Sequence, residues 1–252
     1  MSEDTILRDG MIRKNIETSI KRGAKSYKYL IFIFIALLGG AAYINYLQDP
    51  EFFIKPTLFV AIIFAPFIIF AIVSMVKNKK YSMDFETHPK YLGLKERFNL
   101  KDLNDFDAFD SKISKEYKEN KLFEDKALNV VGTDSYIIEG KLSTLNFSVY
   151  DASKLLLVVF KPKKITETLV LLAFKKRRSN YIALYFEDHV TAIEVLSKKN
   201  GRELTNKIAS TYKVISGVDE NLVGFYDTDR DKFIEICRAE ARKVYGNTPA
   251  YK

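Results

Sequence analysis

Two uninterrupted apolar runs near the start of the chain constrain its fold more than anything else in it. Tyr29–Leu47 reads YLIFIFIALLGGAAYINYL and Thr57–Val76 reads TLFVAIIFAPFIIFAIVSMV, and neither holds a charged residue. At about 1.5 Å of rise per residue, a helix of roughly 19–20 residues matches the ~30 Å hydrocarbon core of a bilayer. The runs therefore predict a transmembrane helical hairpin over 29–76, with a soluble part after it. The first run is longer than the apolar region of a secretory signal, and a second span follows directly, so a cleaved leader is not expected. Pro66 falls in the middle of the second run and predicts a kink.

Charge sets the expected orientation. The chain carries a net +8. Arg13, Lys14, Lys21, Arg22, Lys25 and Lys28 precede the first run, and Lys77, Lys79 and Lys80 follow the second. The turn between them, 48–55, sets Asp49 and Glu51 against Lys55. The bias of basic residues places both termini in the cytoplasm and the chain in a cytoplasmic (inner) membrane. The abundance of Lys, Ile, Asn and Phe, with no Trp, fits an AT-rich bacterial genome. Within the runs, Gly39, Gly40, Ala41 and Ala42 are small enough to let two helices, or two copies of the chain, pack closely.

Before the first run, residues 1–28 form an amphipathic cytosolic segment. Ile12, Ile16 and Ile20 recur at four-residue spacing among basic neighbours. That stripe suits either an anionic leaflet or packing on the cytosolic domain. Residues 77–126 read as a charged helical linker or stalk, with helices near Lys90–Phe98, Lys101–Asp110 and Ser111–Phe123. Residues 127–252 read as a cytosolic α+β domain in which helices pack on an antiparallel meander. Its expected strands are Ser135–Gly140, Leu145–Val149, Leu155–Phe160, Glu167–Phe174 and Tyr181–Phe186. Helices are expected at His189–Lys198 and Glu203–Tyr212, either side of an Asn200-Gly201 turn. A last strand follows at Leu222–Tyr226, and then a terminal helix over about Asp229–Tyr245. Phe233, Ile236, Cys237, Ala241 and Val244 make the apolar face of that helix, and Thr228 is its expected N-cap.

Enzyme signatures are sparse. The sequence holds no phosphate-binding glycine loop, dinucleotide turn, zinc-protease helix or nucleophile elbow. The two histidines, His88 and His189, lie far apart in sequence and suit surface or capping roles. The single cysteine, Cys237, excludes an internal disulfide and sits on an apolar helix face, as a buried structural thiol does. LVGFYDTDRD resembles the strand-end motif of haloacid-dehalogenase-type phosphotransferases, which implies Asp227 as nucleophile and Asp229 as acid/base. Asp231 stands where that motif has Thr or Val. The same acidic spacing imitates a calcium loop but lacks its glycine and its final glutamate. The bland alternative is a set of acidic residues at a helix N-terminus. Asp105, Asp107 and Asp110 form a second acidic cluster, expected in a solvated turn or helix start. No metal site and no cofactor is expected.

Two basic turns are the candidate contact surface: Lys161, Lys163 and Lys164, and Lys175, Lys176, Arg177 and Arg178. Beside a membrane their nearest polyanion is anionic lipid headgroups. An acidic protein is an alternative partner, and nucleic acid is disfavoured because no aromatic-basic signature accompanies the run. Plain solvated turns account for them equally simply.

The stretch 132–154, GTDSYIIEGKLSTLNFSVYDASK, resembles an uncharacterised family of bacterial membrane proteins with two N-terminal spans and a cytosolic domain. Asp134, Gly140 and the alternating strand at Leu145–Val149 carry the likeness, and Val149 stands where an acidic residue is expected. The resemblance implies the same topology and no particular activity. Together these readings favour a membrane-anchored interaction module: a subunit, scaffold or regulator with a protein partner or a second copy of itself. A membrane-tethered enzyme acting on phosphate or lipid substrates, with Asp227 and Asp229 as its carboxylates, is one alternative. An oligomeric transport or channel component is another, although runs without an ionisable residue make a pore through one copy unfavourable.

Overall fold

The computed structural model describes residues 10–48, 50, 54–142, 144–162, 180–217 and 220–246. The chain is α+β and divides into two compact units, Met1–Lys112 and Ile113–Lys252.

In the first unit, α1 (Met11–Gln48) and α2 (Ile54–Met83) lie antiparallel, and both are long and apolar enough to cross a membrane. α1 carries the amphipathic segment and the first apolar run as one continuous 38-residue helix. α2 remains helical through Pro66. The less exposed residues recur at three- and four-residue steps: Tyr27, Leu30, Phe34, Leu38, Ala41 and Asn45 on α1, and Thr57, Val60, Phe64, Ile68, Ala71 and Met75 on α2. This spacing places them along one seam. The Phe34 ring lies 5.4 Å from Phe64 and 6.0 Å from Phe67, and at one end Asn45 Nδ2 donates to Thr57 Oγ1 at 3.2 Å. The outer surface is the reverse of a soluble protein. Phe32, Ile35, Phe59, Ile62, Ile69 and Phe70 are all exposed, Phe32 at 70%. Gly39 and Gly40 also face open space: a Cβ on either would meet nothing within 4 Å. They are therefore not what brings α1 and α2 together.

The start of α1 is held from far along the chain. Its apolar stripe is covered by protein, with Ile12 and Ile16 fully buried and Ile20 at 5% exposure. Of the two settings the stripe suits, packing on the protein is the one adopted. Two further helices follow α2, α3 (Pro89–Phe98) and α4 (Leu103–Glu119); the division between the units falls within α4. Asp110 on α4 is fully buried and accepts hydrogen bonds from the backbone N–H groups of Ile12, at 2.9 Å, and Arg13, at 2.8 Å. The free N–H groups of a helix start need acceptors, and a carboxylate there also complements the helix dipole. Arg13 in turn pairs with Asp107 and lies over the Phe85 ring, 5.4 Å from its centre. Gly10 is obligatory in this arrangement, because a Cβ there would stand 2.0 Å from Asp110 Oδ2. The acidic cluster is thus split. Asp105 accepts from the exposed Lys101 N–H, while Asp107 and Asp110 are buried rather than solvated. Tyr91 packs edge to face on both Phe85 and Phe106, the latter centred 4.9 Å away, and Phe85 and Phe106 meet at a tilt.

The second unit begins where α4 ends. Ser111–Phe123 does not form one helix: after Glu119 the chain enters β1 (Lys121–Asp125), which pairs with β2 (Val130–Thr133). β3 (Tyr136–Gly140) and β4 (Phe147–Asp151) complete an antiparallel sheet in the order β1-β2-β3-β4. A 3-10 turn at Ala152–Lys154 leads into the second sheet. That sheet comprises β5 (Leu155–Lys161), β6 (Asn180–Phe186), β7 (Val190–Val195) and β8 (Ile215–Ser216), in the order β7-β6-β5-β8. The expected strand at Glu167–Phe174 lies outside the described residues. The second sheet is mixed rather than a pure meander, since β8 returns parallel to β5.

Five expectations at the C-terminal side are corrected. His189–Lys198 is not a helix: VTAIEV forms β7, in which Ile193 and Val195 point inward and Glu194 outward, the two-residue period of a strand. Asn200-Gly201 is not a turn but lies in the first turn of α5 (Lys198–Tyr212), which Ser197 caps. Leu222–Tyr226 is not a strand but the middle of α6 (Glu220–Thr228), where Leu222 and Tyr226, four residues apart, are both buried. The terminal helix α7 (Arg230–Tyr245) follows, and its N-cap is Asp229 rather than Thr228. Phe233 and Cys237 are buried on its apolar face, but Val244 is exposed and does not belong to it.

β5 sits between two apolar layers, which is why its sequence is continuously apolar. Leu155 and Val158 face a core shared with Ile137 and Tyr150 of the first sheet and with Leu204, Ile208 and Tyr212 of α5. Leu156, Leu157 and Val159 belong to a second core with Leu222, Tyr226, Phe233 and Cys237 of α6 and α7. A β-bulge between Leu155 and Leu157 shifts the register at the start of the strand. The Tyr212 hydroxyl, fully buried, bonds to the carbonyls of Thr133 and Tyr136, each at 3.0 Å, and so fastens α5 to the first sheet.

Replacing Asp110 with Ala leaves two helix-start N–H groups buried without an acceptor, which is expected to cost about 1–3 kcal/mol. Thermal unfolding of the purified protein should show a clear loss for Asp110→Ala and a smaller one for Asp105→Ala, whose partner is exposed.

Candidate functional site

The residues singled out by sequence do not converge. Asp227 lies inside α6 and Asp229 caps α7, accepting from Lys232 N–H at 3.1 Å. The phosphotransferase motif places its first carboxylate at a strand end, and here there is a helix instead. Asp229 has the ordinary work of a capping residue. Of the basic turns, Lys161 ends β5 and donates from Nζ to the Tyr185 hydroxyl at 3.0 Å. Lys163, Lys164, Lys175, Lys176, Arg177 and Arg178 lie outside the described residues. Ala41 and Ala42 are half-buried along α1, next to the exposed Gly39 and Gly40. Among the described residues no group of three or more His, Cys, Asp or Glu side chains is placed to hold a metal ion.

Both histidines and the cysteine have structural surroundings. His88 precedes Pro89 and caps α3, its Nδ1 accepting from Lys90 N–H at 3.1 Å. Burial, helped by the Lys90 charge, lowers its pKa. His189 lies flat against Phe186, with ring centres 4.7 Å apart, and its Nδ1 is 2.6 Å from Asp188 Oδ1. Among the described residues its buried Nε2 has no hydrogen-bond partner. Burial pushes the Cys237 thiol up to about 12, which removes the thiolate a nucleophile needs.

The turn after β6 gathers a charged network that the sequence did not flag. Lys154 Nζ bonds Asp188 Oδ2 at 2.9 Å, Arg238 pairs with Glu187, and Arg230 donates to the Asp188 carbonyl at 3.2 Å. Partial burial would raise the Asp188 pKa, but the hydrogen bonds from Lys154 and His189 outweigh it and hold the carboxyl at about 2. These groups satisfy one another and fix α7 to the sheet.

Two hollows open on the second unit. One, of about 270 Å³, is lined by Tyr117, Glu124, Asp125, Lys126, Asn129, Val131, Gly140 and Lys141. Its described lining holds two carboxylates and two ammonium groups. The other, of about 290 Å³, lies at the carboxyl ends of β5 and β8 and is lined by Phe160, Pro162, Arg202, Thr205, Asn206, Ser216 and Gly217. Only the folded connection shows this second set: its members come from two strand ends and one helix face, with no local motif between them. Comparison of the chain with known protein families, with curated proteins and with solved structures gives no match.

The His88 cap predicts a pH dependence. Above about pH 6.5, the usual histidine value, the ring is neutral in both the folded and the unfolded chain. Below it the unfolded chain takes up the proton first, so stability falls as pH drops through the lowered folded pKa. The protonated ring also loses the Nδ1 acceptor that caps α3. The unfolding temperature should therefore decline below about pH 6.5, and His88→Asn, a non-titrating cap, should flatten that part of the profile.

Proposed function

We propose that this chain is a membrane-anchored interaction module, with the α1–α2 hairpin spanning the cytoplasmic (inner) membrane and both termini in the cytoplasm. The observation that carries the reading is the inverted hairpin surface. Soluble proteins rarely expose apolar patches beyond a few hundred Å², yet large side chains cover the outer faces of α1 and α2 along most of their length. Lipid is the solvent that makes such a surface favourable, and the pairing seam leaves those side chains turned outward. The basic residues on both outer flanks support the orientation.

In this reading the cytosolic α+β part serves as a subunit, scaffold or regulator of a membrane complex. The alternative, a membrane-tethered enzyme acting on phosphate or lipid substrates, would rest on Asp227 in the last turn of α6 and on Asp229 at the N-cap of α7. No observation favours a transport role.

Cysteine accessibility tests the anchor and its orientation together. The native thiol is first removed with Cys237→Ala, and single cysteines are placed at Gln48 and Lys80. A membrane-impermeant maleimide added to intact cells should label Gln48→Cys and leave Lys80→Cys unlabelled until the cells are opened. Labelling of Lys80→Cys on intact cells would contradict the orientation, and equal labelling of both would contradict the span.

A further inference from the structure

We propose that the hollow at the carboxyl ends of β5 and β8 binds a small phosphate-bearing anion. The inference is independent of whether the hairpin crosses a membrane. At about 290 Å³ the hollow stands near the lower end of ligand cavities, which run from about 300 to 1,000 Å³. It therefore suits a headgroup-sized ligand rather than a nucleotide cofactor.

Its chemistry is one-sided. Arg202 and Asn206 are four residues apart on α5 and share one helix face. Ser216 reaches the same hollow from the end of β8. Among the described residues none of these three side chains has a hydrogen bond or ion pair within the protein. Thr205 is different, because its hydroxyl already donates to the Gly201 carbonyl at 2.8 Å. Among the described residues no carboxylate lines the hollow, in contrast to the first hollow with its Glu124 and Asp125. Uncommitted donors around an unneutralised guanidinium select an anion. The planar fork of Arg202 matches two oxygens of a phosphate or carboxylate. The amide of Asn206 and the hydroxyl of Ser216 supply donors for further oxygens, which a tetrahedral phosphate has and a carboxylate lacks.

The floor is set in advance. Gly201 lets the first turn of α5 close on the Phe160 ring, since a Cβ there would come within 2.4 Å of Phe160 Cε2. The ring therefore holds its place beside Arg202 and offers an apolar surface to the carbon skeleton that carries the phosphate. The position also has a topological reason: a crevice forms at the carboxyl ends of parallel strands, and β5 and β8 pair in parallel.

The test uses the full chain in phosphatidylcholine nanodiscs. In one arm glycerol phosphate is titrated in by calorimetry. In the other, the discs contain phosphatidic acid and the headgroup phosphorus resonance is followed. Arg202→Gln should weaken binding at least tenfold, Arg202→Lys should restore only part of it, and Lys141→Gln in the other hollow should leave it unchanged. Arg202 is exposed and has no ion pair among the described residues, so Arg202→Gln should unfold at the wild-type temperature; Asn206→Leu provides a second variant with the same expected weakening. Arg202-dependent binding of glycerol phosphate supports the proposal with a free phosphate ester as the source. Arg202-dependent perturbation of phosphatidic acid alone supports it with a lipid headgroup as the source. No binding in either arm, or binding that survives both Arg202→Gln and Asn206→Leu, overturns it.

Discussion

The first unit depends on one carboxylate. Asp110 reaches across 98 residues of sequence to the start of α1 and bonds two of its free N–H groups. Such groups are costly to bury without an acceptor, and a fully buried carboxylate is costly without donors, so each resolves the other's deficit. The Arg13–Asp107 pair lies one helical turn from Asp110 along α4 and repeats the attachment. Because α1 is continuous from Met11 to Gln48, whatever fixes its first turn also fixes the direction of the apolar hairpin. The stripe at Ile12, Ile16 and Ile20 is consumed in that joint, within the compact unit Met1–Lys112.

The second unit is organised around β5. Its two faces serve two different cores, one shared with the first sheet and α5, the other with α6 and α7. This arrangement determines where a ligand can approach. The side faces of β5 are closed by packing, while among the described residues its carboxyl end, next to the parallel β8, borders the hollow beside α5. Gly201 brings α5 close enough for Arg202 and Asn206 to stand over that end, so the proposed anion site follows from how the core is closed.

Legibility followed the range of the interactions. The apolar runs of α1 and α2 were plain because their signal lies in every residue. LLLVVF read as a central strand because both of its faces are covered. Short segments failed where one stretch satisfies two periods. LVGFY looks like a strand, but Leu222 and Tyr226 meet the second core from one helix face. VTAIEV follows a histidine-led charged turn and suits a helix by its surroundings, although its inward residues alternate. Lys121–Asp125 continues the charged style of α4 and becomes a strand only because Val130–Thr133 is there to pair with it. The Asp110 cap and the Arg202 hollow were out of reach for a different reason. Each is made of residues that carry no signal until distant parts of the chain meet. Asp105, Asp107 and Asp110 look equivalent in sequence, and only their facing partners separate an exposed turn acceptor from two buried anchors.

The central claim is that the outer face of the hairpin is a lipid-facing surface. Spin labels placed singly along α2 in bilayers measure it directly, through their relative access to molecular oxygen, which concentrates in lipid, and to a water-soluble nickel chelate. Labels at the outward positions Phe59, Ile62 and Phe70 should be readily reached by oxygen and shielded from the chelate, while a label at Phe64 in the seam should be shielded from both. Chelate access at Phe59, Ile62 and Phe70 equal to that at a surface position such as Lys141 would contradict the account.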